Sequence, residues 1–176
     1  PPINVHLGLA LDFAEGVRHL HGCPVIWGDL STRNALLSND DRVKLCDFAG
    51  SGLATVYDAL EQYEIHYCPP EPEKENMSTM ERELFALGSA IYEITEWKLS
   101  YDFKADTEAV NQALARGEWP RLTPGNLAMH TISRCWALEL SSAGEIVDAL
   151  KNVMSQRECQ PHAPGLCPIG QNAHEK

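Results

Sequence analysis

Residues 35–46 constrain this chain most. Ala35-Leu36-Leu37 is a short apolar run, Asn39-Asp40-Asp41 is a turn signal, and Val43-Lys44-Leu45-Cys46 is a second run. Short apolar runs around a polar turn form a β-hairpin. A hairpin returns the chain to where it began, so Asn34 and Asp47 stand side by side at its open end. Asp29 joins them if Asp29-Leu30-Ser31-Thr32-Arg33-Asn34 is a loop. Two carboxylates and a carboxamide gathered in this way suit phosphoryl transfer. That reaction needs positioned charge and hard oxygen ligands more than a covalent nucleophile.

From Asp29 onward the loop resembles the H-R-D-L-x-x-x-N catalytic loop of the protein kinases. Asp47-Phe48-Ala49 resembles D-F-G, and Tyr67-Cys68-Pro69-Pro70-Glu71 resembles the A-P-E end of an activation segment. Each fragment alone is weak. In this order, with a hairpin between the first two, they are specific. The resemblance implies a mainly α fold, the helical C-terminal lobe of the protein-kinase fold, with a small β-hairpin carrying the catalytic and metal-binding loops. It also implies an ATP-dependent protein kinase acting on a protein substrate. Asp29 would accept the proton of the substrate hydroxyl, Asn34 and Asp47 would hold Mg²⁺, and Leu36 would form the floor beneath adenine. Arg33 stands where many tyrosine kinases have arginine, and Ser31 replaces the lysine usual in serine/threonine kinases. Either residue would lie near the transferred phosphoryl group. The acceptor hydroxyl type stays open.

The rest of the chain follows the same order. Leu7 to His21 carries two overlapping apolar stripes at helical spacing, so a helix buried on much of its circumference is expected, stopping at Gly22. Pro24-Val25-Ile26 leads, extended, into the loop. Residues 49–72 show no periodicity and match the activation segment, with Ser51, Thr55, Tyr57, Tyr63 and Tyr67 as candidate phosphorylation sites. Ser78-Thr79-Met80-Glu81 is a capping box opening a long apolar helix through Leu84–Ile94. Asp106 or Thr107 caps a helix stopping at Gly117, and another helix runs through His130–Trp136, resembling the I-x-x-C-W signature of tyrosine-kinase-like lobes. Ser142-Ala143-Gly144-Glu145 is a second capping box, starting a last helix to about Met154. The division expected is a kinase C-terminal lobe over residues 1–154 and a disordered tail over 155–176, rich in Pro, Gly, His and Gln.

Several positions depart from the family pattern. Trp27 stands for His and is expected to contact Phe48; Gly28 stands for the Arg that binds an activation-segment phosphate. Activity switched by phosphorylation of this segment is therefore not expected. Ala49 replaces Gly and should restrict a flip of Asp47, since alanine resists φ > 0. Glu83 replaces the Asp that anchors the catalytic-loop backbone, and no Arg partner for Glu71 follows Trp136. No Gly-rich loop or V-A-I-K lysine is present in the sequence. The resemblance places a smaller lobe upstream of Pro1. Without it, apolar surface around Leu36 and Phe48 is expected to aggregate. The alternative reading is a pseudokinase-like protein-interaction module without catalysis.

Composition narrows the partners. The net charge is −11, from 14 basic against 25 acidic residues, which argues against non-specific binding to nucleic acid or anionic lipid. No apolar run approaches the roughly 18 residues of a membrane span. Six scattered cysteines without a C-x-x-C pair read as reduced thiols of a cytoplasmic or otherwise intracellular protein. Oligomeric state is left open. Gly50-Ser51-Gly52 lacks the third glycine and following helix of a dinucleotide site. His19, His21 and Cys23, and the tail's Cys159, His162, Cys167 and His174, lack regular zinc-ligand spacing.

Overall fold

A computed structural model describes residues 3–53, 56–71, 73–101 and 107–158. Its centre is a helix, α3 (Thr79–Glu96), in which every residue from Glu83 to Tyr92 is buried. The start of α3 is set by a complete capping box. Ser78 Oγ accepts from Glu81 N at 3.2 Å, and Glu81 Oε2 accepts from Ser78 N at 2.7 Å. Such a cap contributes about 1 kcal/mol. Each fully buried side chain along α3, such as Leu87 or Ile91, contributes on the order of 1.5–3 kcal/mol.

Two helices lie against α3, and a third packs on both of them. The first, α1 (Ile3–Gly22), begins four residues before the expected Leu7 and stops at the expected glycine. It packs on α3 and on α6 (Ala143–Glu158), with Ala10, Phe13, Ala14 and Val17 buried in the shared core. That double contact is why its apolar stripes overlap. The second, α5 (Met129–Trp136), lies against α3 very closely. A Cβ added at Gly88 would meet Cys135 Cβ at 2.4 Å, so only glycine lets the two backbones approach this far. Trp136 closes the contact by donating Nε1–H to Ser89 Oγ at 3.0 Å. Two further helices complete the described set: α2 (Glu73–Asn76) and α4 (Thr107–Ala115).

The strands are short and belong to the site. β2 (Ala35–Leu37) and β3 (Val43–Leu45) form the expected antiparallel hairpin, with Ala35 opposite Leu45 and Leu37 opposite Val43. Asp12 of α1 fastens its turn, accepting from Arg42 Nε at 2.6 Å. A second pair was not expected. β1 (Val25–Ile26) joins β4 (Gly52–Leu53) antiparallel, so the start of the aperiodic stretch 49–72 is hydrogen-bonded to the strand that leads into the Asp29–Asn34 loop. A two-residue strand has no period to detect, which is why residues 49–72 read as featureless.

Two further details differ from expectation, one being that α6 runs on to Glu158, past the expected end at about Met154 and into residues expected as tail. The capping box at α6 is displaced by one residue: Ser142 Oγ accepts from Glu145 N, but the Glu145 carboxylate reaches back to Ser141 N at 3.0 Å. Asp106 and the tail beyond Glu158, with its zinc-like residues, lie outside the described residues. Cys23, Cys46, Cys68 and Cys135 are free thiols. Among the described residues no helix is long and apolar enough to cross a membrane.

Candidate active site

The loop between β1 and β2 tightens into one 3-10 turn, Thr32–Asn34. Ser31 caps it, its Oγ accepting from Arg33 N at 3.2 Å. The turn places Asn34 where it works in two directions. Its Nδ2 donates to Asp29 O at 2.9 Å and to Asp29 Oδ2 at 2.8 Å, while its carbonyl accepts from Cys46 N at 2.9 Å. One residue therefore fixes the Asp29 carboxylate with its side chain and the residue before Asp47 with its backbone. Asn34 Oδ1 has no donor among the described residues.

Trp27 reaches the other end of this arrangement. Fully buried, it donates Nε1–H to Asp47 O at 2.8 Å and holds its ring 5.7 Å from that of Phe48. The expected contact with Phe48 is present, and the indole adds a hydrogen bond. Asp47 has φ 57, a left-handed conformation costing roughly 1–2 kcal/mol in a residue with a Cβ. The bond from Trp27 helps to hold it there. Ala49 is not among the residues with positive φ.

Glu83 anchors the loop from below. Its buried carboxylate accepts from Trp27 N with both oxygens at 3.0 Å and from Gly28 N at 3.4 Å. His21 Nε2 lies 3.5 Å from Glu83 Oε1, and Tyr63 OH donates to Oε2 at 3.5 Å. The extra methylene relative to aspartate is thus accommodated. Burial, with the Glu83 charge beside it, pushes the Tyr63 hydroxyl well above its usual range, so it stays a donor.

The activation segment is laid over Gly28. Gly28 has φ +80, and a Cβ there would meet Ala59 Cβ at 3.0 Å and Leu60 O at 3.1 Å. The room an arginine would need is filled by the segment itself, whose Gln62 N donates to Gly28 O at 2.9 Å. Further along, Glu64 pairs with Arg33, and a 3-10 turn, Ile65–Tyr67, carries Tyr67 into the core. Tyr67 OH accepts from Thr32 N at 3.2 Å and donates to the Glu93 carboxylate. Burial first, then the Glu93 charge, pushes its hydroxyl up to about 12. Sequence reasoning treated Tyr63 and Tyr67 as possible phosphorylation sites and missed their structural use. Ser51 Oγ likewise donates to Trp27 O at 3.1 Å, Tyr57 is exposed, and Thr55 lies outside the described residues. Among the described residues Glu71 pairs only with a local partner, Lys74 Nζ at 3.7 Å.

Asp29, Arg33, Asn34 and Asp47 thus fall on one loop cluster, with Arg33 tied to Glu64. Leu36 lies on β2 just after Asn34, 60% exposed; Leu37 projects from the opposite face of the strand, and Phe48 is exposed too. Among the described residues no group of three His, Cys, Asp or Glu forms a metal cluster. Asn34 Oδ1 and the Asp47 carboxylate supply two hard oxygen donors. That set suits Mg²⁺, which keeps several waters and takes remaining ligands from phosphate. The exposed Leu36 side chain offers apolar surface to a flat heterocycle, so the residues present fit one side of a magnesium–nucleotide site.

Comparison with known proteins agrees with this geometry. The family model described as protein tyrosine and serine/threonine kinase matches residues 2–150. The chain is 28% identical over 161 residues to the serine/threonine/tyrosine-protein kinase HT1 of Arabidopsis thaliana, covering 89% of this chain and 41% of that protein. It is 28% identical over 139 residues to the tyrosine-protein kinase TXK of Mus musculus, covering 74% of this chain and 26% of that one. Against the RGS domain-containing serine/threonine-protein kinase A of Dictyostelium discoideum the identity is 28% over 134 residues, covering 74% and 12%. The chain spans less than half the length of each of these relatives.

Proposed function

This chain belongs to the protein tyrosine and serine/threonine kinase family, and from that premise we propose that residues 1–154 are a kinase C-terminal lobe carrying the phosphoryl-transfer residues of an ATP-dependent protein kinase. The observation that carries this reading is the double engagement of Asn34, side chain to Asp29 and backbone to the residue before Asp47. A fold kept only as a binding surface has no chemical need for that arrangement.

The roles follow from the geometry. Asp29, its Oδ2 fixed by Asn34 Nδ2, orients the acceptor hydroxyl and takes up its proton at the free carboxylate oxygen. Asn34 Oδ1 and Asp47 hold Mg²⁺, and Leu36 supports adenine. Bound Mg²⁺ neutralises charge on the nucleotide's phosphates. Arg33 stabilises charge on the transferred group once released from Glu64. Phe48 and Trp27 keep the backbone of Asp47 in place. The test is Asp29→Asn in the full native polypeptide, assayed for phosphate transfer from ATP to protein. Transfer should fall a hundredfold or more, on the order expected for losing a general base, with thermal stability unchanged. Equal transfer by both proteins would overturn the assignment.

One observation favours a second reading. Arg33 is ion-paired with the activation segment rather than free beside Asp29. If that pair is permanent, the lobe is an interaction module and Asp29→Asn changes no partner's binding.

A further inference from the structure

Trp119, just past α4, is 42% exposed although its ring has two aromatic neighbours. It stacks on Trp136, ring centroids 5.5 Å apart and planes 14° from parallel, and the Phe85 ring lies 6.1 Å away at a tilt. Trp136 is itself fixed by its bond to Ser89 Oγ. The Trp119 indole is therefore held in a set plane while much of it stays open. It borders a groove of about 490 Å³ at the ends of α4 and α5, a volume within the range of ligand-binding clefts. Phe85, Leu114 and Trp136 are buried parts of the lining, and Leu138 is an exposed one. Leu138 has φ 54, a conformation that helix ends normally give to glycine, so a side chain is kept at the groove where the backbone favours none.

Among the described residues that line this groove, Glu71 is the one ionisable side chain, and it is 49% exposed. Its partner Lys74 lies 3.7 Å away and three residues on, and a solvated pair of that kind contributes little. The arginines next to the lining residues are engaged elsewhere, Arg116 with Glu118 at 2.7 Å and Arg134 with Glu139 at 3.5 Å. A loosely paired carboxylate and a flat indole along one apolar groove match a guanidinium. Its planar fork bonds both carboxylate oxygens at once, and its face stacks on an aromatic ring. An ammonium such as that of Lys74 has no such fork. The chain's net charge of −11 draws a basic partner towards it.

We propose that this groove docks an arginine of a partner protein, with its guanidinium on Glu71 and Trp119 and its apolar neighbours against Leu114 and Leu138. On docking, the guanidinium takes the place of Lys74 as the partner of Glu71. None of Asp29, Arg33, Asn34, Leu36 and Asp47 lines the groove, so this surface is separate from the phosphoryl-transfer residues and stands with or without the kinase reading.

The test is binding, without nucleotide. Fluorescein-labelled pentapeptides carrying one arginine among leucine and phenylalanine, and their citrulline counterparts, are titrated into the full native polypeptide and followed by anisotropy. Citrulline keeps the shape of arginine without its charge. The best arginine peptide should bind about tenfold more tightly than its citrulline twin. Glu71→Gln and Trp119→Leu should each bring that ratio below about three. Both changes are mild for the fold: the first removes an exposed ion pair, and leucine at 119 still covers Trp136. Asp29→Asn should leave the ratio unchanged. A ratio near one in the parent, or an unchanged ratio in either groove variant, overturns the proposal. So does a ratio lost in Asp29→Asn and kept in Glu71→Gln, which would put the arginine at the catalytic loop. Because no step requires phosphate transfer, failure of the kinase reading leaves this result legible.

Discussion

Glu83 carries a carboxylate through the centre of the lobe to Trp27, whose backbone N–H lies 3.0 Å from each of its oxygens. The pair ties the core helix to the start of the catalytic loop. Both residues replace those the family pattern has at these positions, and they meet each other's requirements. The longer carboxylate reaches the loop backbone, and the larger ring reaches Asp47 O at 2.8 Å.

Removing this anchor should be costly. Glu83→Ala leaves the N–H groups of Trp27 and Gly28 buried without an acceptor, a loss of about 3 kcal/mol. Urea denaturation should show a lower midpoint at an unchanged slope. Glu83→Asp keeps the charge but loses reach, and its midpoint should fall between the two.

Tyr67→Phe removes the hydroxyl that serves Thr32 N and Glu93 while leaving the ring in the core. A loss of about 1–2 kcal/mol is expected. Amide exchange should quicken at Thr32 and in residues 64–67 and leave α1 unchanged. Uniform acceleration across the lobe would mean that the tyrosine acts on global stability alone.

Gly88→Ala tests the helix contact. The added methyl would sit 2.4 Å from Cys135 Cβ, and neither backbone can retreat without opening the core. Overpacking of this kind costs roughly 1–3 kcal/mol. A melting temperature equal to that of the parent would show that α5 is free to shift.

Of the activation-segment tyrosines, only Tyr57 is exposed. An added tyrosine kinase should label Tyr57 in the native protein and reach Tyr63 and Tyr67 only after denaturation, as peptide mass spectrometry would record. With Gly28 in place of arginine, the loop lacks the cation that would receive a phosphate on this segment, so phosphatase treatment should leave any transfer activity unchanged.

Stability should fall in two stages as pH drops. Burial holds His66 below its ordinary 6.5, so the unfolded chain takes the proton first and stability declines from about that pH downward. The hydrogen bond from Lys151 to Glu15, that from Ser78 to Glu81 and that from Ser141 N to Glu145 hold these carboxyls below their ordinary 4.5. Their contribution is present above 4.5 and disappears as pH falls through the lowered native values. Melting temperature against pH should be level just above 6.5, slope gently from there to 4.5 and then steepen. His66→Gln should remove the upper stage alone.

Much was legible in the residues because it depends on local order. The hairpin at 35–45, the capping box at Ser78 and the apolar length of α3 follow from short-range pattern, and the hairpin alone brings Asn34 towards Asp47. What the sequence left undecided are contacts across long stretches of chain, since a side chain's partner has no periodic signature. The β1–β4 pair, the hydroxyl of Tyr67 on Thr32, the salt bridge of Arg33 with Glu64 and the stacking of Trp97 on His6 exist only once α1 and α3 have packed. Local sequence determined the lobe and the spacing of its reactive groups; tertiary packing decided which of them are held, which are tied up and which face a groove.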